Sequence, residues 1–259
     1  MYTIEERELF CNQTIDFFRS SELFEGVVQL GSGTIGYKDE YSDIDLMAAI
    51  YNRDDLEFSK AVLIKFFQDL GAGYINEIVW TETVLGVSVY FTNGLGMDVS
   101  FGPTNNLVVQ SPQWKIALDK TGKLTDFIEE ENRKFVKYYS NYGIDDSINY
   151  RFINALRRYV IAIKRCNYIY ASNMLNEARQ CVLDIQALKE GKKVHQFKAY
   201  NDLNKDFLSK IANTFPLEIS ESSLNDARNH IYKLFFEVVG NSNTIKFDNS
   251  VLTLLTGLE

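Results

Sequence analysis

The stretch Gly31 to Leu46, GSGTIGYKDEYSDIDL, sets a Gly-Ser turn ahead of two aspartates spaced one residue apart. Val27 to Leu30 (VVQL) leads into it as an apolar run of strand length. At Gly31 φ becomes free and no side chain blocks an approaching ligand. If a helical turn follows Gly31 and Ser32, its N–H groups and the Ser32 hydroxyl point at one spot, an arrangement suited to phosphate oxygens. Ser42 to Met47 then alternates polar with apolar residues. In a strand, Ile44 and Leu46 face one side while Asp43 and Asp45 converge on the other. Two carboxylates held that close repel unless a cation sits between them. Magnesium is the expected cation, because it takes carboxylate oxygens and shares its other positions with water and substrate phosphates. Leu95 to Phe101 (LGMDVSF) repeats the alternation and offers a third carboxylate, Asp98. Asp98 would complete a triad of carboxylates.

Gly31-Ser32, ten intervening residues, Asp43-Ile44-Asp45 and a later Asp98 between apolar residues together resemble the nucleotidyltransferase superfamily of DNA polymerase β and the antibiotic adenylyltransferases. Within it, YSDIDL, Leu118 to Ile128 (LDKTGKLTDFI) and the helical half that follows look most like the lincosamide nucleotidyltransferases, with the aminoglycoside 6-adenylyltransferases further off. The resemblance implies an enzyme that transfers a nucleoside monophosphate, AMP from ATP, to a hydroxyl of a lincosamide- or aminoglycoside-like antibiotic and releases pyrophosphate. It implies Asp43, Asp45 and Asp98 as catalytic residues and magnesium ligands, Gly31 and Ser32 as nucleotide-binding residues, and a cleft between two domains. One departure is plain: the family's loop often carries Arg or Lys soon after the Ser, whereas here Gly33, Thr34 and Ile35 follow. That departure keeps a catalytically silent nucleotide binder open beside the small-molecule enzyme, and the superfamily also offers a protein adenylyltransferase of antitoxin type as an alternative. A cleft completed by a second copy, in a homodimer, would leave no mark on the sequence.

A chain of 259 residues with 46% apolar and 14% aromatic content has material for two modest cores. Its net charge of −8 argues against a broad footprint on nucleic acid and for a cationic small molecule. Cys11, Cys166 and Cys181 are odd in number and widely spaced in apolar surroundings, so they read as reduced core residues of a cytoplasmic protein. No signal-peptide core or membrane-length apolar run is expected.

The spacing of apolar residues predicts an α+β chain. Helix 4–24 carries Thr3 as N-cap and Glu6 in its first turn. Strands follow at 27–30 and 43–51, a helix at 54–70, strands at 74–81, 86–91 and 95–101, and an edge strand at 115–118. These make a small mixed sheet with helices on one face, the nucleotidyltransferase domain over 1–123. From residue 124 to 259 helical spacing dominates, predicting a helical substrate-binding bundle with a hinge at Asn141-Tyr142-Gly143 and Ser222 or Ser223 capping its fifth helix. The stripe Arg151, Arg158 and Arg165, with Arg157 and Lys164 beside it, reads first as a solvated face and second as a triphosphate site, as does the loop Gly191-Lys192-Lys193. His195 and His230 lack metal-ligand spacing and read as surface residues. The many tyrosines of the second half read mostly as packing and partly as a pocket wall.

Overall fold

A computed structural model of the chain describes residues 2–35, 41–109, 113–139, 147–192 and 200–240. The chain forms two compact units, Met1–Ser140 and Asn141–Glu259. The hinge at 141–143, His195, Lys193 and the helical stretch near 250–255 lie outside the described residues.

The first unit opens with α1 (Ile4–Ser20), whose N-terminus is a capping box. The Glu6 N–H donates to Thr3 Oγ1 at 3.1 Å and the Thr3 N–H to the Glu6 carboxylate at 2.8 Å, which satisfies two otherwise orphaned donors. The helix stops at Ser20, short of Phe24, because Ser21 is already extended and Leu23-Phe24 leads into the sheet. The rest of the unit runs β1 (Phe24–Leu30), β2 (Ile44–Ile50), α2 (Leu56–Asp69), β3 (Ala72–Val79), β4 (Leu85–Phe91), β5 (Gly96–Pro103), β6 (Trp114–Asp119) and α3 (Lys123–Tyr139). A 3-10 turn, Gly31–Ile35, follows β1.

The sheet is mixed and six-stranded, in the order β3-β4-β5-β2-β1-β6. Only β2 and β5 pair in parallel; the other neighbours are antiparallel. One face carries Val27, Ile44, Leu46, Val87, Met97 and Val99 against Phe18 of α1 and Phe67 of α2, all buried. The other face is covered as well, which corrects the one-sided expectation. Leu124, Ile128 and Phe135 of α3 pack with Val28, Met47 and Ala49 in a second cluster. That apolar stripe could equally have faced other helices, so helical period alone grouped α3 with the second half. Asp119 fixes where α3 begins, taking hydrogen bonds from the backbone N–H groups of Thr121, Gly122 and Thr125 and from the Thr125 hydroxyl. Burial works to raise the Asp119 carboxyl, but these bonds outweigh it and hold it below the usual range.

The second unit packs α4 (Ile148–Lys164), α5 (Tyr168–Lys189), α6 (Lys205–Ala212) and α7 (Glu221–Gly240) around a core that includes Phe152, Leu175, Val182, Ile231 and Phe235. Phe152 and Phe235 stack with centroids 3.6 Å apart. Ser220, rather than Ser222 or Ser223, accepts from the Ser223 N–H at the start of α7, at 3.4 Å. Arg179 is buried and held by Asn176 and Thr214, with its guanidinium 3.8 Å from the Phe215 ring centroid. Burial lowers its pKa to about 10. Among the described residues no helix is long and apolar enough to cross a membrane. Cys11 and Cys181 are buried, but Cys166 is exposed at the α4–α5 turn, against the expectation of a core residue.

Candidate active site

The site is built on the sheet face that α3 half covers. Strand alternation sends Ile44 and Leu46 into the α1–α2 core, so Asp43 and Asp45 take the opposite face, and Met97 and Val99 do the same for Asp98. The parallel register makes Asp45 and Asp98 direct partners, a juxtaposition that only the strand order could produce. Successive partners then form one line across four strands: Asn76 of β3, Ser88 of β4, Asp98 of β5 and Asp45 of β2. Leu30, next in that line, is followed by Gly31 and the 3-10 turn. Asp45 and Asp98 are therefore neighbours on one face, and the turn with Gly31 and Ser32 follows directly on the next residue of the line.

Two glycines make room for the carboxylates. Gly31 has φ +63°, in the left-handed region, and a Cβ there would sit 2.9 Å from Asp45 Oδ2. On Gly96 a Cβ would come within 2.7 Å of Asp43 Oδ1. Asp45 thus leans toward the Gly-Ser turn and Asp43 toward β5, while Ser88 donates a hydroxyl hydrogen bond to Asp98 Oδ1. On the shared face the three carboxylates thus have different neighbours. Consistently, among the described residues no three His, Cys, Asp or Glu side chains form a ready metal cage. Magnesium does not need one, since one or two carboxylates with phosphate and water oxygens suffice, and the hard donors Asp43 and Asp45 fit it.

The 3-10 turn after Gly31 begins as the sequence suggests. The Gly31 N–H donates to the Gln113 carbonyl at 3.1 Å and Thr34 Oγ1 to the Gly31 carbonyl at 2.8 Å, which ties the turn to the start of β6. Ser32 is half-buried within it.

One residue escaped the sequence reading. Arg7 of α1 is fully buried, and its Nη1 donates to the Ser42 carbonyl at 2.9 Å. The Tyr2 hydroxyl donates to the same oxygen at 3.2 Å. These two bonds hold the residue immediately before Asp43. The signal was present, because Arg7 shares the buried stripe Arg7, Cys11, Thr14 and Phe18 at helical spacing, but a charge among Glu5, Glu6 and Glu8 reads as solvated. The basic stripe of α4 behaves as the solvated reading has it: all five residues are exposed, and Arg151 lies 3.6 Å from Asp184. His230 is exposed too.

No protein-family model matches the chain, and neither does any curated protein sequence. Among solved structures, the chain is similar to an aminoglycoside 6-adenyltransferase from Bacillus subtilis, at 14% identity, with 100% of this chain and 99% of that one covered and a TM-score of 0.39. It is also similar to a nucleotidyltransferase-like protein from Exiguobacterium sibiricum, at 12% identity, with 99% and 88% covered and a TM-score of 0.35.

Proposed function

We propose that the chain transfers a nucleoside monophosphate, AMP from ATP, to a hydroxyl of a small molecule of lincosamide- or aminoglycoside-like type, releasing pyrophosphate. The observation that carries this reading is the line Asp98, Asp45, Leu30 running into the Gly31-Ser32 turn, with Asp43 on the same face. Gly31 and Ser32 hold the β and γ phosphates, and Asp43 and Asp45 hold magnesium. When bound, the metal supplies charge neutralisation at the α-phosphate and lowers the pKa of an attacking hydroxyl. Asp98, with Ser88 on Oδ1, keeps Oδ2 to accept the acceptor's proton. The acceptor oxygen bonds to the α-phosphorus as the bond to pyrophosphate breaks. Arg7 keeps Asp43 in place through the Ser42 carbonyl.

Pyrophosphate release with magnesium and ATP, across a panel of lincosamides, aminoglycosides and polyols, tests this. Asp45→Asn removes one hard oxygen donor from a half-buried position, so release falls by about 1000-fold or more while the melting temperature is kept. Undiminished release by Asp45→Asn contradicts the mechanism.

A further inference from the structure

The turn Gly31–Ile35 carries no Lys or Arg, yet a triphosphate would bring several negative charges to it. α3 offers a cation at the matching place. Its start lies at the far end of β1, where a Cβ on Gly26 would meet Leu124 Cδ2 at 2.6 Å. Further on, Asn132 Oδ1 accepts from Trp114 Nε1 at 3.1 Å, and Trp114 is the register partner of Leu30. The helix from Leu124 to Asn132 rises about 12 Å and β1 from Gly26 to Leu30 about 13 Å, so α3 keeps pace with β1 toward the site. Leu30, Asp45 and Asp98 are successive partners, which puts Asn132 level with the carboxylate line. Lys134, about 3 Å further along α3, is then level with Gly31. At about 100° per residue, with Asn132 turned to β6 and Phe135 packed on the sheet, Lys134 takes the flank away from β6, on the side of β2 and Asp45. It is 54% exposed, and its Nζ rests 2.7 Å from the Glu131 carboxylate one turn back. None of the other described Lys and Arg of this unit is so placed. Arg7 is buried behind Ser42, Lys115 pairs in register with Gln29 on the α1 side, and Arg133 turns outward to Glu130. The rest belong to α2 or to the end of the sheet away from Asp45.

We infer that Lys134 binds the β and γ phosphates of the nucleotide and supplies the cation that the Gly-Ser turn lacks. The inference rests on the transfer reading in taking a nucleoside triphosphate as the ligand of Gly31 and Ser32. Glu131 is the resting partner of the ammonium. An exposed i,i+3 ion pair is weak, because two long side chains lose freedom to hold it in a medium of high dielectric, so the lysine leaves it easily. A phosphate oxygen is the stronger partner, since it carries more charge and is itself held by the turn. Lysine suits the exchange: its charge is compact and its flexible stem carries it from one acceptor to the other with no movement of the helix. A monophosphate, drawn to the metal and its carboxylates, stops short of Lys134. The residue therefore distinguishes a triphosphate from a monophosphate.

The test is a calorimetric titration of the full chain with ATP, tripolyphosphate and AMP, each with magnesium, beside an assay of pyrophosphate release. Lys134→Gln is expected to weaken ATP and tripolyphosphate by about tenfold, to leave AMP unchanged and to keep the melting temperature. Arg133→Gln removes the same charge from the outward side of the same turn and is expected to leave all three ligands as they are in wild type. A loss shared equally by the two variants overturns the assignment, because it then reflects net charge alone. ATP affinity that Lys134→Gln does not change overturns it too, and leaves the transfer reading in place where wild type releases pyrophosphate. The selective loss in a protein that releases no pyrophosphate with any acceptor sustains Lys134 and sinks the transfer reading. Wild type that binds neither ATP nor tripolyphosphate overturns both.

Discussion

The two faces of the first unit's sheet are made by the same strands, yet they are chemically opposite. On the α1–α2 side, Ile44, Leu46, Met97 and Val99 are sealed in an aromatic-rich core. One residue away in each strand, Asp43, Asp45 and Asp98 stand on a face that is closed over β1, β2 and β6 and exposed over β3 and β4. Period-two alternation lets one strand be a structural beam and a site wall at once, because successive side chains never share an environment. Stability and chemistry should then separate between adjacent residues.

The sharpest way to break that separation is from the packed side. Leu46 is 1% exposed, and Leu46→Ala should cost about 3 kcal/mol of stability, read from chemical denaturation, while transfer at a temperature where the variant stays folded is kept. A lost activity with an intact fold would show that the faces are coupled. From the site side, Gly96→Ala puts a methyl 2.7 Å from Asp43 Oδ1, the far end of a side chain that can swing away. Stability should change by less than about 1 kcal/mol while transfer falls by about tenfold or more, because the carboxylate is displaced from its working position. The smallest effect belongs to the boundary of the covered part. Asp119→Ala removes the hydrogen bonds that start α3 and should cost about 1 kcal/mol. Since the folded pKa of Asp119 lies below its unfolded value, the contribution is present above the unfolded pKa and lost as pH falls through the folded one. The gap in stability between wild type and Asp119→Ala should therefore hold at neutral pH and shrink below about pH 4.

Much of this contrast could be read in the sequence, and the limits of that reading are physical. Alternation in SDIDLM and LGMDVSF suffices to put the carboxylates opposite an apolar face. Alternation says nothing about which strands are neighbours. The parallel pairing of β2 with β5, which sets Asp45 beside Asp98, comes from a crossover that no local pattern encodes. The lean of each carboxylate depends on a glycine outside its own strand, Gly31 in the turn after β1 for Asp45 and Gly96 in β5 for Asp43, and no local pattern encodes that. Arg7 was missed because burial of a guanidinium depends on a partner 35 positions away, the Ser42 carbonyl. α3 was grouped with the helical half because an amphipathic stripe does not name what it packs against.

The most direct test of the account is a calorimetric titration of ATP, with and without magnesium, into wild type, Asp45→Asn and Leu46→Ala, each paired with its melting temperature. The account predicts that Leu46→Ala melts lower but binds magnesium–ATP as wild type does. Asp45→Asn should melt no lower and lose the magnesium-dependent part of binding. Magnesium-dependent binding that survives in Asp45→Asn would contradict the assignment of this face as the site.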